Sequence, residues 1–214
     1  MRVRHQAAGA GLYIERRAHM SEAIRAIVAL GNPGADHERD RHNAGFWLAD
    51  ALARRWRVSF APEKRFKGEL ARVGAGPETL WLLKPMTFMN VSGEAIQPLC
   101  AFHKIAAPQI LVVHDELDLP AGTARLKESG GHGGHNGLRD IHRVIGSQYK
   151  RLRIGVGHPG DSAGVLAHVL GKPSADDQIA IDAAIDAALE AIDTIRERGW
   201  NRGAQQLNSR KQPG

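Results

Sequence analysis

The sequence predicts a single-domain α/β fold with a mixed, largely parallel twisted sheet and helices on both of its faces. Two observations lead to this prediction. Short apolar segments of strand length alternate with longer segments of helical periodicity, and no change of composition within the 214 residues marks a second domain. Strands that alternate with helices form parallel sheets whose two faces are covered.

The first predicted elements are a buried strand and an amphipathic helix. Residues 24–30 form a short apolar run that ends in the turn sequence Gly31-Asn32-Pro33-Gly34. The segment Ala44–Trp56 carries its large apolar side chains on roughly one face, and Asn43 is available as its N-cap. A strand, a loop and a covering helix therefore open the fold.

The remaining predicted elements are a β-hairpin, a helix, a central strand, and two strands separated by a glycine-rich loop and a helix. In chain order they span residues 69–73 with 79–83, 91–102, 110–113, 123–126, 137–145 and 151–156. The longest helix opens at Ser174, which forms a capping-box pair with Asp177, and ends at Gly199. Because sites in open α/β sheets lie beyond the carboxyl ends of the strands, we expect Asn32 and Asp115 at one edge.

The composition favours an anionic partner. Lys and Arg number 29 against 23 Asp and Glu, which gives a net charge of +6 and indicates nucleic acid or an anionic surface. The single cysteine, Cys100, cannot form an internal disulfide, and this argues against secretion. Because no apolar run approaches the roughly 18 residues of a membrane span, we expect a soluble, cytoplasmic protein with no membrane contact.

The two ends differ from the predicted domain, which covers residues 24–208. We expect residues 1–23 to be a disordered extension and residues 209–214 to be a basic tail. The extension is rich in arginine and faintly resembles an organelle transit peptide. Met20 just before the first strand also fits an upstream start codon, which is the interpretation that we favour.

Two glycine patterns have the spacing of known motifs but lack other groups that the chemistry of those motifs requires. Residues 155–160 have the glycine spacing of a dinucleotide-binding loop, but Pro159 lacks an N–H that could face a pyrophosphate. Residues 160–164 match the nucleophile elbow of serine hydrolases, but no acid separates Ser162 from His168, the only later histidine. We interpret both segments as turns.

A third local pattern suggests a metal site. His132 and His135 could bind an ion together with acids of the type of Asp115, Glu116 and Asp118. The two histidines lie in a glycine-rich loop and lack the rigid helical spacing of a persuasive ligand pair. We favour the alternative that the glycines allow a bulky anionic ligand to approach free backbone N–H groups.

A set of short motifs covers nearly the whole chain. In order, they are Gly31-Asn32-Pro33-Gly34, Arg41-His42-Asn43-Ala44-Gly45, Thr87-Phe88-Met89-Asn90, His114-Asp115-Glu116-Leu117-Asp118-Leu119-Pro120, Gly131-His132-Gly133-Gly134-His135-Asn136-Gly137, Arg151-Leu152-Arg153-Ile154-Gly155 and Leu170-Gly171-Lys172-Pro173. In this order and at this spacing, the set resembles that of the bacterial peptidyl-tRNA hydrolases over about residues 24–207. The resemblance implies a phosphorylase/hydrolase-like fold. It also implies that a monomer, without metal or cofactor, cleaves the ester between a peptide or N-blocked aminoacyl group and the 3′ end of tRNA.

The resemblance also implies roles for individual side chains. His42 would be the general base that activates water, Asp115 would orient it, and Asn32 would help to distinguish a blocked aminoacyl group from a free amine. The other implied residues contact the peptide end, the 3′ end or the acceptor-stem phosphates, and they are His37, Phe88, Met89, Asn90, Asn136, Lys127 and Arg153. His37 stands where the family commonly carries tyrosine.

These assignments are chemically coherent, although each residue also has a purely structural interpretation. Histidine, whose unperturbed pKa is about 6.5, suits the deprotonation of water near neutral pH, and a carboxylate on its other ring nitrogen fixes the tautomer. Taken singly, His42 could be an ordinary loop histidine and Asn90 an N-cap. Phe88 and Met89 could belong to the core. A relative that binds RNA without turnover is the main alternative to an enzyme.

Overall fold

The computed structural model describes residues 23–211, and the expectations for residues 1–22 and 212–214 lie outside this part of the chain. Seven strands form one sheet: β1 (Ala26–Ala29), β2 (Ala61–Glu63), β3 (Gly68–Val73), β4 (Leu80–Pro85), β5 (Ile110–Glu116), β6 (Ala124–Lys127) and β7 (Lys150–Gly155). Their order across the sheet is β2-β3-β4-β1-β5-β7-β6. The chain thus places β1 and β5 at the centre.

The central strands β4, β1, β5 and β7 are mutually parallel. The antiparallel ladders lie toward the edges, where β3 pairs with β4 and with β2, and β6 pairs with β7. This arrangement confirms the predicted mixed, largely parallel sheet. Asn32 follows β1 closely, and Asp115 lies near the carboxyl end of β5, so both lie at the same edge.

Helices cover both faces of the sheet. They are α1 (Ala44–Trp56), α2 (Gly93–His103), α3 (Asn136–Ile145), α4 (Val165–Val169), α5 (Ala175–Arg198) and α6 (Trp200–Asn208). One core cluster contains Ile27 of β1 with apolar residues of α1, α5 and α6, whereas the other contains Val28 with those of α2 and α3. Alternate residues of a strand face opposite sides, so each central strand contributes to both cores.

The helix boundaries agree closely with the periodicity of the sequence. Helix α1 spans the residues that were predicted for it. The Ser174 Oγ accepts a hydrogen bond from the Asp177 backbone N–H at 3.1 Å, and Gly199, at φ 87°, ends α5. No helix in the part of the chain that the structure describes combines the length and the apolar character needed to cross a membrane.

Three elements are absent from the sequence-based prediction, namely β2, α4 and α6. Strand β2 consists of Ala61, Pro62 and Glu63, which have no apolar alternation, and it exists because it pairs with β3. Helix α4 is only five residues long. The described part of the expected basic tail contacts the body of the protein, since the Arg210 carbonyl accepts a hydrogen bond from the Arg125 guanidinium.

Two local expectations were wrong. Strand β5 extends to Glu116, so that His114 and Asp115 belong to the strand instead of following it. Asn43 precedes α1 but makes no side-chain cap hydrogen bond. Its amide instead forms two hydrogen bonds with the backbone of Asn32.

Candidate active site

The centre of the candidate site is the buried carboxylate of Asp115, which is held by two histidines. His42 Nδ1 lies 2.8 Å from Oδ1 and 2.9 Å from Oδ2 of Asp115. His135 Nε2 lies 2.9 Å from Oδ1 of the same group. The two rings pack together, with centroids 4.9 Å apart. The structure therefore brings together His42 and Asp115, as the resemblance implied, and adds a partner that the sequence had not indicated for them.

The hydrogen-bond pattern fixes the tautomer of each ring. An ionised carboxylate only accepts hydrogen bonds, so His42 Nδ1 and His135 Nε2 both donate to Asp115. The other nitrogen of His135, Nδ1, accepts from the Leu138 backbone N–H at 3.3 Å, which agrees with this assignment. The remaining nitrogen of His42, Nε2, makes no hydrogen bond to the residues described and carries a free lone pair while the ring is neutral.

The charges of the cluster shift its pKa values in opposite directions. Burial acts to raise the pKa of Asp115, but the charges of His42 and His135 outweigh it and hold that pKa well below its usual range. Burial acts to lower the pKa of His42, but the charge and hydrogen bond of Asp115, aided by Asp40, raise it overall. The acid therefore stays ionised, and the imidazole is a stronger base than in water.

His114 supports the cluster from within β5. Its Nδ1 lies 2.7 Å from the backbone oxygen of Asp115, and its ring meets that of His135 edge to face at 5.1 Å. Complete burial, together with the charge of His135, lowers the pKa of His114 to about 3. His114 is thus a neutral packing group at neutral pH and adds no charge to the site.

Close approach of α1 to the sheet positions His42. A Cβ at Gly45 would lie 2.4 Å from the Leu30 carbonyl oxygen and 2.7 Å from that of Val113, so only glycine fits between α1 and the ends of β1 and β5. The Arg41 guanidinium binds three backbone carbonyls, those of His168, Gly171 and Lys172. The turn Arg41–Asn43 that carries His42 is therefore fixed on both sides.

Asn32 and the neighbour of His42 in the chain, Asn43, are joined by two hydrogen bonds. Asn43 Oδ1 accepts from the Asn32 backbone N–H at 2.8 Å, and Asn43 Nδ2 donates to the Asn32 carbonyl at 2.9 Å. The Asn32 Oδ1 accepts from the Met89 backbone N–H at 2.8 Å. Since its oxygen is occupied, the group that Asn32 can offer to a ligand is its Nδ2 amide.

The imidazole of His42, the carboxylate of Asp115 and the amides of Asn32 and Asn43 therefore lie together at the carboxyl ends of β1 and β5. Comparison with known proteins gives the family. A model of the family "Peptidyl-tRNA hydrolase" matches residues 26–214.

The chain belongs to the peptidyl-tRNA hydrolase family.

Individual relatives and solved structures agree with this membership. The chain is 50% identical over 192 residues to a peptidyl-tRNA hydrolase of Neisseria gonorrhoeae, covering 89% of this chain and 100% of that protein. It is 52% identical over 187 residues to one of Thiobacillus denitrificans, covering 87% of this chain and 91% of that protein. The crystal structure of peptidyl-tRNA hydrolase from Acinetobacter baumannii is similar with a TM-score of 0.85 and 44% identity, covering 90% of this chain and 98% of that one. Membership makes the chain an esterase-type hydrolase.

The residues that the family resemblance implied for the peptide end differ in their exposure. Phe88 is 62% exposed, whereas Met89 is buried. Asn90 and Asn136 are exposed, and Asn136 Oδ1 accepts from Arg139 at 3.2 Å. Of these residues, only Met89 is a core side chain, whereas Phe88, Asn90 and Asn136 are exposed to solvent.

The two predicted phosphate contacts differ in their surroundings. Lys127 is exposed, lies along Gly130 and forms no ion pair with the residues that the structure describes. Arg153 Nε is 2.8 Å from Glu116 Oε2, and both side chains are partly buried. A phosphate at Arg153 would therefore have to compete with Glu116, whereas Lys127 could bind a phosphate without first breaking an ion pair.

A strand arginine that the sequence did not indicate holds the glycine loop. The Arg151 guanidinium donates to the Gly131 carbonyl at 2.6 Å and also to that of Gly130. Together these hydrogen bonds hold the loop that leads to His135. An arginine in a strand carries no recognisable signal of this role, because the carbonyls that it binds are about twenty residues away in sequence.

The structure groups a different set of candidate metal ligands from the set that the sequence suggested. His42, Asp115 and His135 each offer one ligand-type atom within 4.8 Å of the others. Both histidine N–H groups point at the carboxylate at hydrogen-bond distance, and this pattern explains the short distances without an ion. The ring of His132, which the sequence had suggested as the partner of His135, instead lies 5.7 Å from that of His142. We assign the interactions in the cluster to hydrogen bonds.

Proposed function

We propose that the chain hydrolyses the ester bond between a peptide, or an N-blocked aminoacyl group, and the 3′ end of tRNA, and so returns free tRNA to translation in the cytoplasm. Family membership supports peptidyl-tRNA as the substrate. The observation that carries the mechanism is the hydrogen bond of 2.8 Å between His42 Nδ1 and Asp115, which leaves Nε2 of His42 free to accept a proton.

In this mechanism, His42 acts as a general base and no covalent intermediate forms. A water molecule attacks the ester carbonyl carbon while its proton passes to Nε2 of His42. The bond from the carbonyl carbon to the 3′ ribose oxygen then breaks, and the protonated imidazole returns the proton to that oxygen. Asp115 keeps the ring in the required tautomer and stabilises its cationic form, which the raised pKa of His42 supports.

Three carboxamides are suited to hold the peptide end. Carboxamides donate and accept hydrogen bonds, as an ester-linked peptide also does. The Asn32 amide N–H group is directed by the bond from Met89 to Asn32 Oδ1, so it presents a donor to the substrate carbonyl. We assign Asn90 and Asn136 to the peptide and the attacking water, and the exposed ring of Phe88 to a contact with the same end of the substrate.

The tRNA is recognised by its shape and its free 3′ end. Lys127 and Arg153 would contact the acceptor-stem phosphates, which position the substrate without reading its base sequence. The net charge of +6 supports such an anionic partner. We propose that a monomer suffices, because every group invoked comes from one chain.

The test is release of free tRNA from N-acetyl-aminoacyl-tRNA, with the unblocked aminoacyl-tRNA as the comparison substrate. We expect cleavage of the blocked substrate alone and a fall in rate of at least about a hundredfold for His42→Gln. Intact substrate with the parent protein would favour a non-catalytic RNA-binding role. Loss of activity after exhaustive chelation, restored by a divalent ion, would instead favour a metal-dependent hydrolase.

A further inference from the structure

Helix α3 is joined to the turn that carries Asn90 by a buried hydrogen bond. Asp140 Oδ2 accepts from the Gly93 backbone N–H at 2.7 Å, and the two residues are 47 positions apart in the sequence. Gly93 is the first residue of α2 and lies two residues after the turn Met89–Val91. Asp140 lies one helical turn after Asn136, the first residue of α3. The bond therefore connects the two segments that carry the exposed carboxamides.

The two oxygens of the Asp140 carboxylate have different partners. Oδ2 is bonded to Gly93, whereas Oδ1 accepts from the Arg143 guanidinium at 2.8 and 3.1 Å. The side chain of Asp140 is 8% exposed, but that of Arg143 is 67% exposed. An exposed ion pair contributes little to stability, whereas a buried backbone N–H that loses its acceptor is costly. The bond to Gly93 is therefore the contact that matters for the turn.

The first turn of α3 also packs directly on the segment that carries Asn90. A Cβ at Gly137 would lie 2.6 Å from Met89 Sδ and 3.0 Å from Leu30 Cδ1, so a larger residue there would displace the helix. The Met89 backbone N–H in turn donates to Asn32 Oδ1 at 2.8 Å. Helix α3 is thus the element against which the turn is fixed.

We propose that Asp140 is a positioning residue for the peptide end of the substrate, because its bond to Gly93 keeps Asn90 in a constant place relative to Asn136. The inference rests on the proposed function, since it matters only if these two carboxamides hold the peptide and the attacking water. Groups that bind one ligand together do so well only when their spacing is held constant by supporting contacts. Asp140 acts through the turn and makes no contact of its own with the substrate.

Loss of the Asp140 carboxylate should affect the acylated substrate alone. Asp140→Ala removes the acceptor of the Gly93 N–H and should raise the KM for N-acetyl-aminoacyl-tRNA about tenfold. The fall in kcat should be smaller, because His42 and Asp115 keep their own hydrogen bond. Affinity for deacylated tRNA, which has no peptide end, should match that of the parent. Initial rates give KM and kcat, and fluorescence anisotropy gives the affinity for deacylated tRNA.

Three further single variants separate positioning from a general loss of structure. Asp140→Asn keeps an oxygen that can accept from Gly93, so it should recover part of the effect on KM. Arg143→Gln removes the exposed partner of Asp140 and leaves the bond to Gly93 in place, so its KM should match that of the parent. Ile141→Val removes a methyl group from a fully buried side chain of the same helix and should lower stability without changing KM.

A double variant and hydrogen exchange test the route of the effect. Because Asp140 acts through Asn90, the variant that combines Asn90→Ala with Asp140→Ala should have the KM of Asn90→Ala alone. Exchange of the Gly93 amide, measured by NMR without substrate, should be faster in Asp140→Ala than in the parent and unchanged in Arg143→Gln.

A rise of KM for the acylated substrate alone, absent from the Asn90→Ala background, would support the proposal. It would be overturned by equal losses of affinity for acylated and deacylated tRNA, by additive effects in the double variant, or by unchanged exchange of the Gly93 amide. A parent protein that cleaves no substrate would refute the proposed function and the positioning role with it. A parent that cleaves, together with an unchanged KM in Asp140→Ala, would refute the positioning role alone.

Discussion

His135 donates from Nε2 to Oδ1 of Asp115 across 2.9 Å, on the carboxylate that also accepts from His42. Asp115 is therefore held from two directions, by a ring just before α1 and a ring just before α3. The carboxylate can orient His42 only if its own plane is fixed. His135 provides this second anchor and, in the proposed mechanism, acts on His42 through Asp115.

Replacing His135 by leucine should reduce the rate of hydrolysis by about tenfold, because the variant cannot form this hydrogen bond to a charged group. His135→Gln should keep more activity, since its amide can still donate to Asp115. The matched control is His132→Leu in the same loop, whose ring packs near His142. Equal effects of His135→Leu and His132→Leu on the rate would show that the loop, and not the bond to Asp115, is responsible.

The pH dependence of stability should report the His42–Asp115 pair. The pKa of Asp115 is lowered in the folded state, so its contribution to stability is present above the unfolded pKa of about 3.9 and is lost as pH falls through the folded value. The pKa of His42 is raised, so its contribution is present below about 6.5 and is lost as pH rises through the folded value.

The difference in free energy of unfolding between the parent and Asp115→Asn should consequently be largest between about pH 4 and pH 6.5 and smaller on both sides. We expect a maximum of about 2 kcal/mol, the scale of a buried hydrogen bond to a charged group. Urea denaturation across this range measures the difference. A difference that stays constant with pH would contradict the pairing.

Lys127 should contribute more than Arg153 to the salt dependence of tRNA binding. Removing one Lys or Arg that neutralises a phosphate reduces the slope of log K against log salt by about 0.9. Lys127→Ala should show this reduction, whereas Arg153→Ala should show less, because Arg153 is already paired with Glu116. Glu116→Gln would then strengthen binding by releasing Arg153. Identical slopes for the two alanine variants would argue that the pair with Glu116 opens on binding.

Arg151→Met should loosen the loop that leads to His135. The variant lacks the guanidinium that binds the Gly130 and Gly131 carbonyls, so backbone amides of residues 128–135 should exchange hydrogen faster. We expect a raised KM and a lowered kcat, since the loop also carries the second anchor of Asp115. Arg151→Lys, which keeps the charge and one donor group, should have an intermediate effect. Unchanged exchange in Arg151→Met would refute this role.

Much of the fold could be predicted because its elements are encoded in local patterns. Helix α1 matches its apolar periodicity, and α5 has both its Ser174 cap and its Gly199 end. Strand β2 could not be predicted in this way, since three residues with no apolar alternation become a strand only through pairing with β3. The end of β5 was misplaced for a similar reason, because His114 and Asp115 are polar and yet buried within the sheet.

The sequence suggested residues for the candidate site, but it did not indicate the hydrogen bonds that connect them. The motif resemblance indicated His42 and Asp115, which are 73 residues apart, and the structure brings them within hydrogen-bond distance. The predicted role of Asn43 was wrong, because a side chain that could cap α1 bonds the backbone of Asn32 instead. The bond from His135 to Asp115 depends on the folded loop, and sequence spacing alone suggested only a metal pair.

The hydrogen bonds of Arg41 couple local unfolding of the segment before α5 to the position of His42. One guanidinium binds the carbonyls that precede α5, and the next residue in the chain is His42. If the hydrogen bonds of Arg41 to these carbonyls broke, the imidazole of His42 would move away from the carboxylate of Asp115 while both hydrophobic cores stay packed. On warming, turnover should therefore cease several degrees below the temperature at which cooperative unfolding begins. The contacts of Arg41, and not the stability of the two cores, would then set the upper temperature limit of activity.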